Sequence, residues 1–132
     1  MPPKEQTPAK NTNIEEAMQK LATELDNYQN EKKGFSEYYP DMNVLISPLY
    51  KNQLKAIIAQ LEKENLVNAK SFQLYLDTVI INMHSKVKKY KKSIFFDDEN
   101  IKDIENQGST IPFYIDEKKN IYILLGILNP NI

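Results

Sequence analysis

The chain has no cysteine, no arginine and a single histidine among its 132 residues. Without cysteine there are no disulfides and no thiolate metal sites. With His84 alone, a multi-histidine zinc site is excluded. All 17 basic residues are lysine. Lysine is a compact point charge without the planar fork through which arginine grips phosphate, so any phosphate chemistry must run on lysine. No apolar run is long enough to span a bilayer. The polar, proline-containing start, Met1 to Lys10, lacks the apolar centre of a signal peptide. These absences lead to the expectation of a cytoplasmic protein with no membrane partner and no cofactor.

What is present fits one modest domain with an appendage. Net charge is −1, but residues 1–41 hold five lysines against eight acids, whereas residues 42–132 hold twelve against ten. An acidic leading segment could lie on the more basic body; equally, both could be ordinary solvated surfaces.

Residues 1–12 contain three prolines and no periodicity, which reads as a flexible arm. Asn13 and Glu16 form a capping-box pattern. Ile14, Met18, Leu21, Leu25 and Tyr28 then follow at helical spacing and predict an amphipathic helix with one apolar face. Lys32, Lys33 and Gly34 read as its end. Phe35, Tyr38 and Tyr39 form an aromatic connector, and so many aromatics in a short stretch predict packing on something. Met42 to Ser47 is a strand candidate. Ser47-Pro48 is a helix-start signal, and Leu54, Ile57, Ile58 and Leu61 mark a helix ending near Asn65. Asn68 could cap a second helix with the stripe Ala69, Phe72, Leu76, Val79 and Met83. Ser85 to Lys92 reads as a basic connector. Ser93 to Phe96, Ile101 to Glu105, Thr110 to Asp116 and Asn120 to Leu128 are rich in strand formers. Pro112 should sit at an edge or an irregularity. The expected fold is α+β: a helical hairpin on a small antiparallel sheet, preceded by an amphipathic helix.

This order resembles the RelE/ParE toxin superfamily. The opening MNVLISPLYKNQLKAIIAQLEKEN is similar to that family's first strand and helix, NAKSFQLYLDTVIINM to its second helix, and NIKDIENQGSTIPFYIDEKKNIYILLGI to its last three strands. Met42 falls where such toxins begin, leaving residues 1–41 as an extra segment. The resemblance implies the toxin of a type II toxin-antitoxin system, causing growth arrest. It implies an antitoxin partner whose helix wraps the toxin, and the helix from Asn13 to Gly34 has that character, so it could neutralise the body in cis or be only an extra core helix. Two activities occur in the family: ribosome-dependent cleavage of mRNA, as an endoribonuclease, and inhibition of DNA gyrase. A catalytically inactive protein-binding module is the alternative from another class.

A ribonuclease of this kind needs positive charge at the scissile phosphate and groups that move protons. Lys102 matches a position where the nucleases carry a catalytic arginine. Tyr114 and His84 are the proton-handling candidates, each also readable as a packed aromatic or a helix-end histidine. Lys86, Lys88, Lys89, Lys91 and Lys92, with Tyr90 interleaved, could meet a phosphate backbone and stack on a base, or bind an acidic partner. Gly108 matches a family glycine. Thr110 stands where a second arginine is common, which removes a source of phosphate stabilisation and argues against efficient cleavage. The run Asp97-Asp98-Glu99 reads as a solvated turn in preference to a metal site.

Overall fold

A computed structural model describes residues 2–38 and 43–130, with side chains described from Ile14 onward within those spans. The fold is α+β. α1 spans Pro2–Gln29, and Asn13 lies inside it, not at its cap. The segment read as a flexible arm is therefore helical over 2–12; its prolines at positions 2 and 3 suit a first helical turn, where no amide donor is needed. The helix ends earlier than Gly34. Lys32 N–H bonds the Asn27 carbonyl and Glu31 N–H the Tyr28 carbonyl, at 2.9 and 3.0 Å. That pair of bonds is a Schellman stop, with Glu31 as the left-handed residue at φ 56°. Lys32 and Lys33 thus lie past the helix end.

The connector continues into β1 (Ser36–Glu37), which pairs antiparallel with β2 (Val44–Ile46). Phe35 packs edge-on to Tyr28 at 5.7 Å, and Tyr38 packs on the main core. Tyr39, Pro40 and the boundary expected between Asp41 and Met42 lie outside the described residues.

Ser47 caps α2 (Pro48–Glu64) as its sequence predicts, accepting the Tyr50 N–H at 3.0 Å. α3 (Leu66–Ile81) is capped by Asn65, not Asn68: the Asn65 side chain accepts from Val67 and Asn68 N–H. Asn65 sits in extended backbone and closes α2 as well, so one residue makes the corner and the two helices fold back on each other. Ala69, Phe72, Leu76, Ile80 and Met83 are buried along the inner face.

After α3 the basic stretch forms a 3-10 segment, Met83–Lys89, and then β3 (Lys91–Lys92). Ser93 to Phe96 is not a strand but a turn region, because the Ser93 N–H bonds Ile101 and the Ile94 N–H bonds the Asp103 carboxylate. β4 (Ile101–Asn106), β5 (Ser109–Asp116) and β6 (Ile121–Leu124) form an antiparallel run. Gln107 and Gly108 turn the first hairpin with φ of 53° and 80°, the doubly left-handed pattern of a two-residue hairpin turn.

The sheet is mixed, not purely antiparallel. Its order is β1-β2-β6-β5-β4-β3, and β2 runs parallel to β6. The first body strand and the last meet in the interior of the sheet after the helices have crossed over. Alternation along the strands divides the side chains between two clusters. Val44, Ile104, Ile111, Phe113 and Leu124 face α2 and α3. Ile101, Tyr114 and Ile123 face the other way, toward Leu21, Leu25 and Tyr28 of α1. The hairpin and α1 therefore cover opposite faces.

Pro112 lies in β5 between two partner strands, and the ladder breaks there. In register with Phe113↔Leu124, Thr110 would face Ile127; it bridges Leu128 instead. The Leu125 N–H reaches the Pro112 carbonyl at 2.9 Å, but proline has no N–H to return. The Ser47 hydroxyl takes the Leu125 carbonyl at 2.6 Å. Gly126, in the resulting bulge, lies so close to Leu21 and Gln53 that a Cβ would sit 2.7 Å from each. Among the described residues no helix is long and apolar enough to cross a membrane.

Candidate functional site

The residues singled out by sequence separate into two surfaces on opposite faces of the sheet. The first is the lysine corner. Met83 is buried, Val87 half-buried, and the Tyr90 ring meets Phe113 edge-on at 5.7 Å. Met83 and Tyr90 thus pin the segment to the main core, leaving Lys86, Lys88, Lys89 and Lys91 exposed between and beyond them. Tyr90 is committed to the core on this geometry and burial pushes its phenol above the ordinary tyrosine value. That contact leaves only part of the Tyr90 ring exposed.

Lys102 joins this corner from β4. It stands opposite Lys92 and Phe113 in the ladders, and its ammonium donates to the Val87 carbonyl at 2.9 Å. That bond ties the 3-10 segment to the sheet, so the charge has a structural task. Lys92 pairs with Asp97 at 2.7 Å and lies 4.0 Å from Glu99. The hydrogen bond to Lys92 holds the Asp97 carboxyl below its usual range. The acidic run is thereby used locally: Asp97 on Lys92, and Asp98 on the Asn100 N–H at 2.8 Å. Among the described residues no cluster of metal-ligating side chains is present. His84 is exposed near the start of the 3-10 segment, and its side chain makes no hydrogen bond among the described residues.

Tyr114 faces α1, opposite to Lys102, because adjacent strand residues point to opposite sides. Its ring lies 6.1 Å from Tyr28. The Tyr28 hydroxyl donates to Asp116 at 2.6 Å, and the Lys119 ammonium sits 5.7 Å from the Tyr28 ring centre. Burial, then the bond to Asp116, pushes the Tyr28 phenol far up, while the same bond holds Asp116 below the usual carboxylate range. Tyr28 therefore stays protonated and acts as a clasp between α1 and the β5–β6 hairpin. The structure thus does not bring Lys102, Tyr114 and His84 together. Thr110, where a charge would help bind phosphate, donates instead to Glu105, with both carboxylate oxygens at 2.9 Å. A carboxylate there opposes phosphate approach.

Of the expected helix contacts, Leu21 is fully buried and Leu25 and Tyr28 pack beside it. Ile14 lies outside the seam at 52% exposed, and Met18, 39% exposed, lines a cavity with Phe95 and Phe96 at its edge. Sequence reasoning passed over Glu24. Its carboxylate is buried, and one oxygen accepts the Leu49 N–H at the start of α2 at 2.8 Å. The signal was available, since Glu24 falls on the same stripe as Leu21, Leu25 and Tyr28. Compared with known proteins, the chain matches no family model, no curated protein and no solved structure.

Proposed function

We propose that this chain is a toxin-like growth-arrest protein of RelE/ParE type, held in check in cis by α1, and that its body binds a macromolecular target instead of cutting RNA. The observation that carries the reading is the docking of α1 on the sheet face opposite the helical hairpin, with Leu21 fully buried and Tyr28 clasped to Asp116. Burying a leucine of this kind is worth about 1.5–3 kcal/mol, and Leu25 and Tyr28 pack beside it, so α1 is held on the sheet. Element order supports the family part: strand, two helices, then three antiparallel strands. The excess of acids over lysines in residues 1–41 and of lysines over acids in the remainder supports the cis arrangement.

Binding is favoured over cleavage because Lys102 and Tyr114 lie on opposite sheet faces and Thr110 is held by Glu105. The exposed Lys86, Lys88, Lys89 and Lys91 offer long-range attraction to an acidic surface, whether nucleic acid on the ribosome or an acidic face of gyrase, while the face that α1 covers, with Ile101, Tyr114 and Ile123, supplies the contact that its release uncovers. The same separation supports the second reading, a catalytically inactive binding module.

The test is inducible bacterial expression of the full chain beside full-length Leu25→Glu, which loosens α1 without removing it. Growth arrest by the loosened form alone supports the reading. Early loss of translation would then place the target at the ribosome, and arrest with translation intact would place it at DNA topology. Arrest by both forms would sink cis inhibition. A folded but harmless Leu25→Glu chain would sink the toxin reading and leave the binding module.

A further inference from the structure

α3 is apolar on more than its buried side. Ala69, Phe72, Leu76 and Ile80 line the core, yet Val67, Leu74 and Ile81 are 69%, 70% and 43% exposed. Their spacing of seven residues is close to two helical turns, so the three form one outer stripe. Tyr75, 60% exposed, and Leu66 flank it. A helix with one buried face ordinarily carries polar residues on the other. These five side chains expose on the order of 500 Å², the size at which a patch marks an interaction site.

We infer that this outer face of α3 is where a second copy of the chain docks, antiparallel, about a two-fold axis beside Leu74. The polar residues bordering the stripe select that occupant. Lys70 and Asp77 border one side, Asp77 half-buried and accepting the Tyr38 hydroxyl through one oxygen; Ser71 and Thr78 border the other. An antiparallel two-fold at Leu74 sets Val67 against Ile81 of the second copy. It sets Lys70 against Asp77, twice, and Ser71 against Thr78. A parallel pair about a two-fold would set the Lys70–Asp77 side against the Ser71–Thr78 side, which leaves both charges without an opposite partner. Lys70 makes no ion pair among the described residues. Two facing patches bury roughly 1,000 Å² in total, at the low end of specific interfaces, which makes the dimer reversible.

The test uses the full chain in sedimentation velocity across a concentration series, with circular dichroism to confirm folding. A monomer–dimer equilibrium is expected, dimeric at roughly 100 µM and dissociating on dilution. Leu74→Glu, at an exposed position, should leave only monomer, and Lys70→Glu should weaken association about tenfold. Because the chain has no cysteine, introduced cysteines report the axis directly. Leu74→Cys should form a disulfide dimer under mild oxidation, and Val67→Cys should cross-link with Ile81→Cys but not with itself. A monomer at every concentration, a dimer insensitive to Leu74→Glu, or self-cross-linking of Val67→Cys in preference to Leu74→Cys would each overturn the proposal.

Discussion

The Glu24 carboxylate of α1 accepts the backbone N–H of Leu49 at the start of α2, at 2.8 Å. The first turn of α2 carries no acidic residue of its own, and its free amides attract negative charge. Ser47 satisfies Tyr50, and Glu24 satisfies Leu49 from another element. The N-terminal helix is thus tied to the body by a side-chain cap as well as by apolar packing. Glu24→Ala leaves that amide without its partner and should cost about 1–2 kcal/mol. The check is a lower urea midpoint with an unchanged slope.

Much of this arrangement was legible in the sequence, for reasons that can be named. Helical periodicity found the buried stripe of α3, and Ser47-Pro48 marked the start of α2, because spacing and capping are local properties. Pro112 was expected at an irregularity, and a proline without an N–H does break the β5–β6 ladder. What sequence left open was non-local. The parallel pairing of β2 with β6 depends on how the chain crosses between distant segments. Tyr90 looked fully available for stacking until Phe113 was placed beside it. Lys102 and Tyr114 could each be assigned to strands, but their opposite faces follow from the register of β4 on β5. Asn65 and Asn68 both suit a cap, and only the position of the corner between α2 and α3 decides between them.

Glu31 occupies the left-handed position that stops α1, at φ 56°. A side chain there clashes with its own backbone at a cost of roughly 1 kcal/mol, which glycine avoids. Glu31→Gly should therefore raise stability by about 0.5–1 kcal/mol, despite the added freedom of the unfolded chain. Calorimetry should show a higher melting temperature, and a lower one would mean that the Schellman stop does not govern this helix end.

The clasp between Tyr28 and Asp116 should make stability depend on acid. The bond from Tyr28 holds the folded-state carboxyl of Asp116 below its unfolded value. A depressed carboxyl contributes stability above the unfolded value, near pH ~3.9, and loses it as pH falls through the folded value. Tyr28→Phe removes the donor, so its difference in stability from the unaltered chain should shrink as pH is lowered from about 5 toward 2. A difference that stays constant over that range would show that Tyr28 acts through packing alone.

Lys102 donates to the Val87 carbonyl, so its charge serves the 3-10 segment before it can serve a substrate. Loss of that bond should cost about 1–2 kcal/mol in Lys102→Ala, while Lys102→Arg, which keeps a donor and a charge, should cost less. In the growth assay, Lys102→Arg should therefore behave like its parent in a chain loosened by Leu25→Glu. Converting Lys86, Lys88 and Lys89 to glutamate should instead abolish arrest with little change in melting temperature, since all three are exposed. Retained arrest in the triple variant would move the target-binding surface away from the lysine corner.

Gly126 joins the bulge to the docked helix. A Cβ at this position would lie 2.7 Å from both Gln53 Oε1 and Leu21 Cδ2. The Gln53 oxygen is already placed to accept the Ile127 N–H at 2.9 Å, and Leu21 is fully buried. Neither can move aside without losing a bond or core contacts. Gly126→Ala should therefore cost about 1–3 kcal/mol through overpacking, and the strain should fall on the α1 contact because Leu21 belongs to that helix. Hydrogen exchange should show faster opening of α1 amides around Leu21 than of β4 and β5 amides. Leu21→Ala in the same chain should recover part of the loss, since it vacates the space that the new methyl needs. Equal acceleration throughout the sheet would mean that α1 and the body unfold as one unit, which would count against a helix able to release on its own.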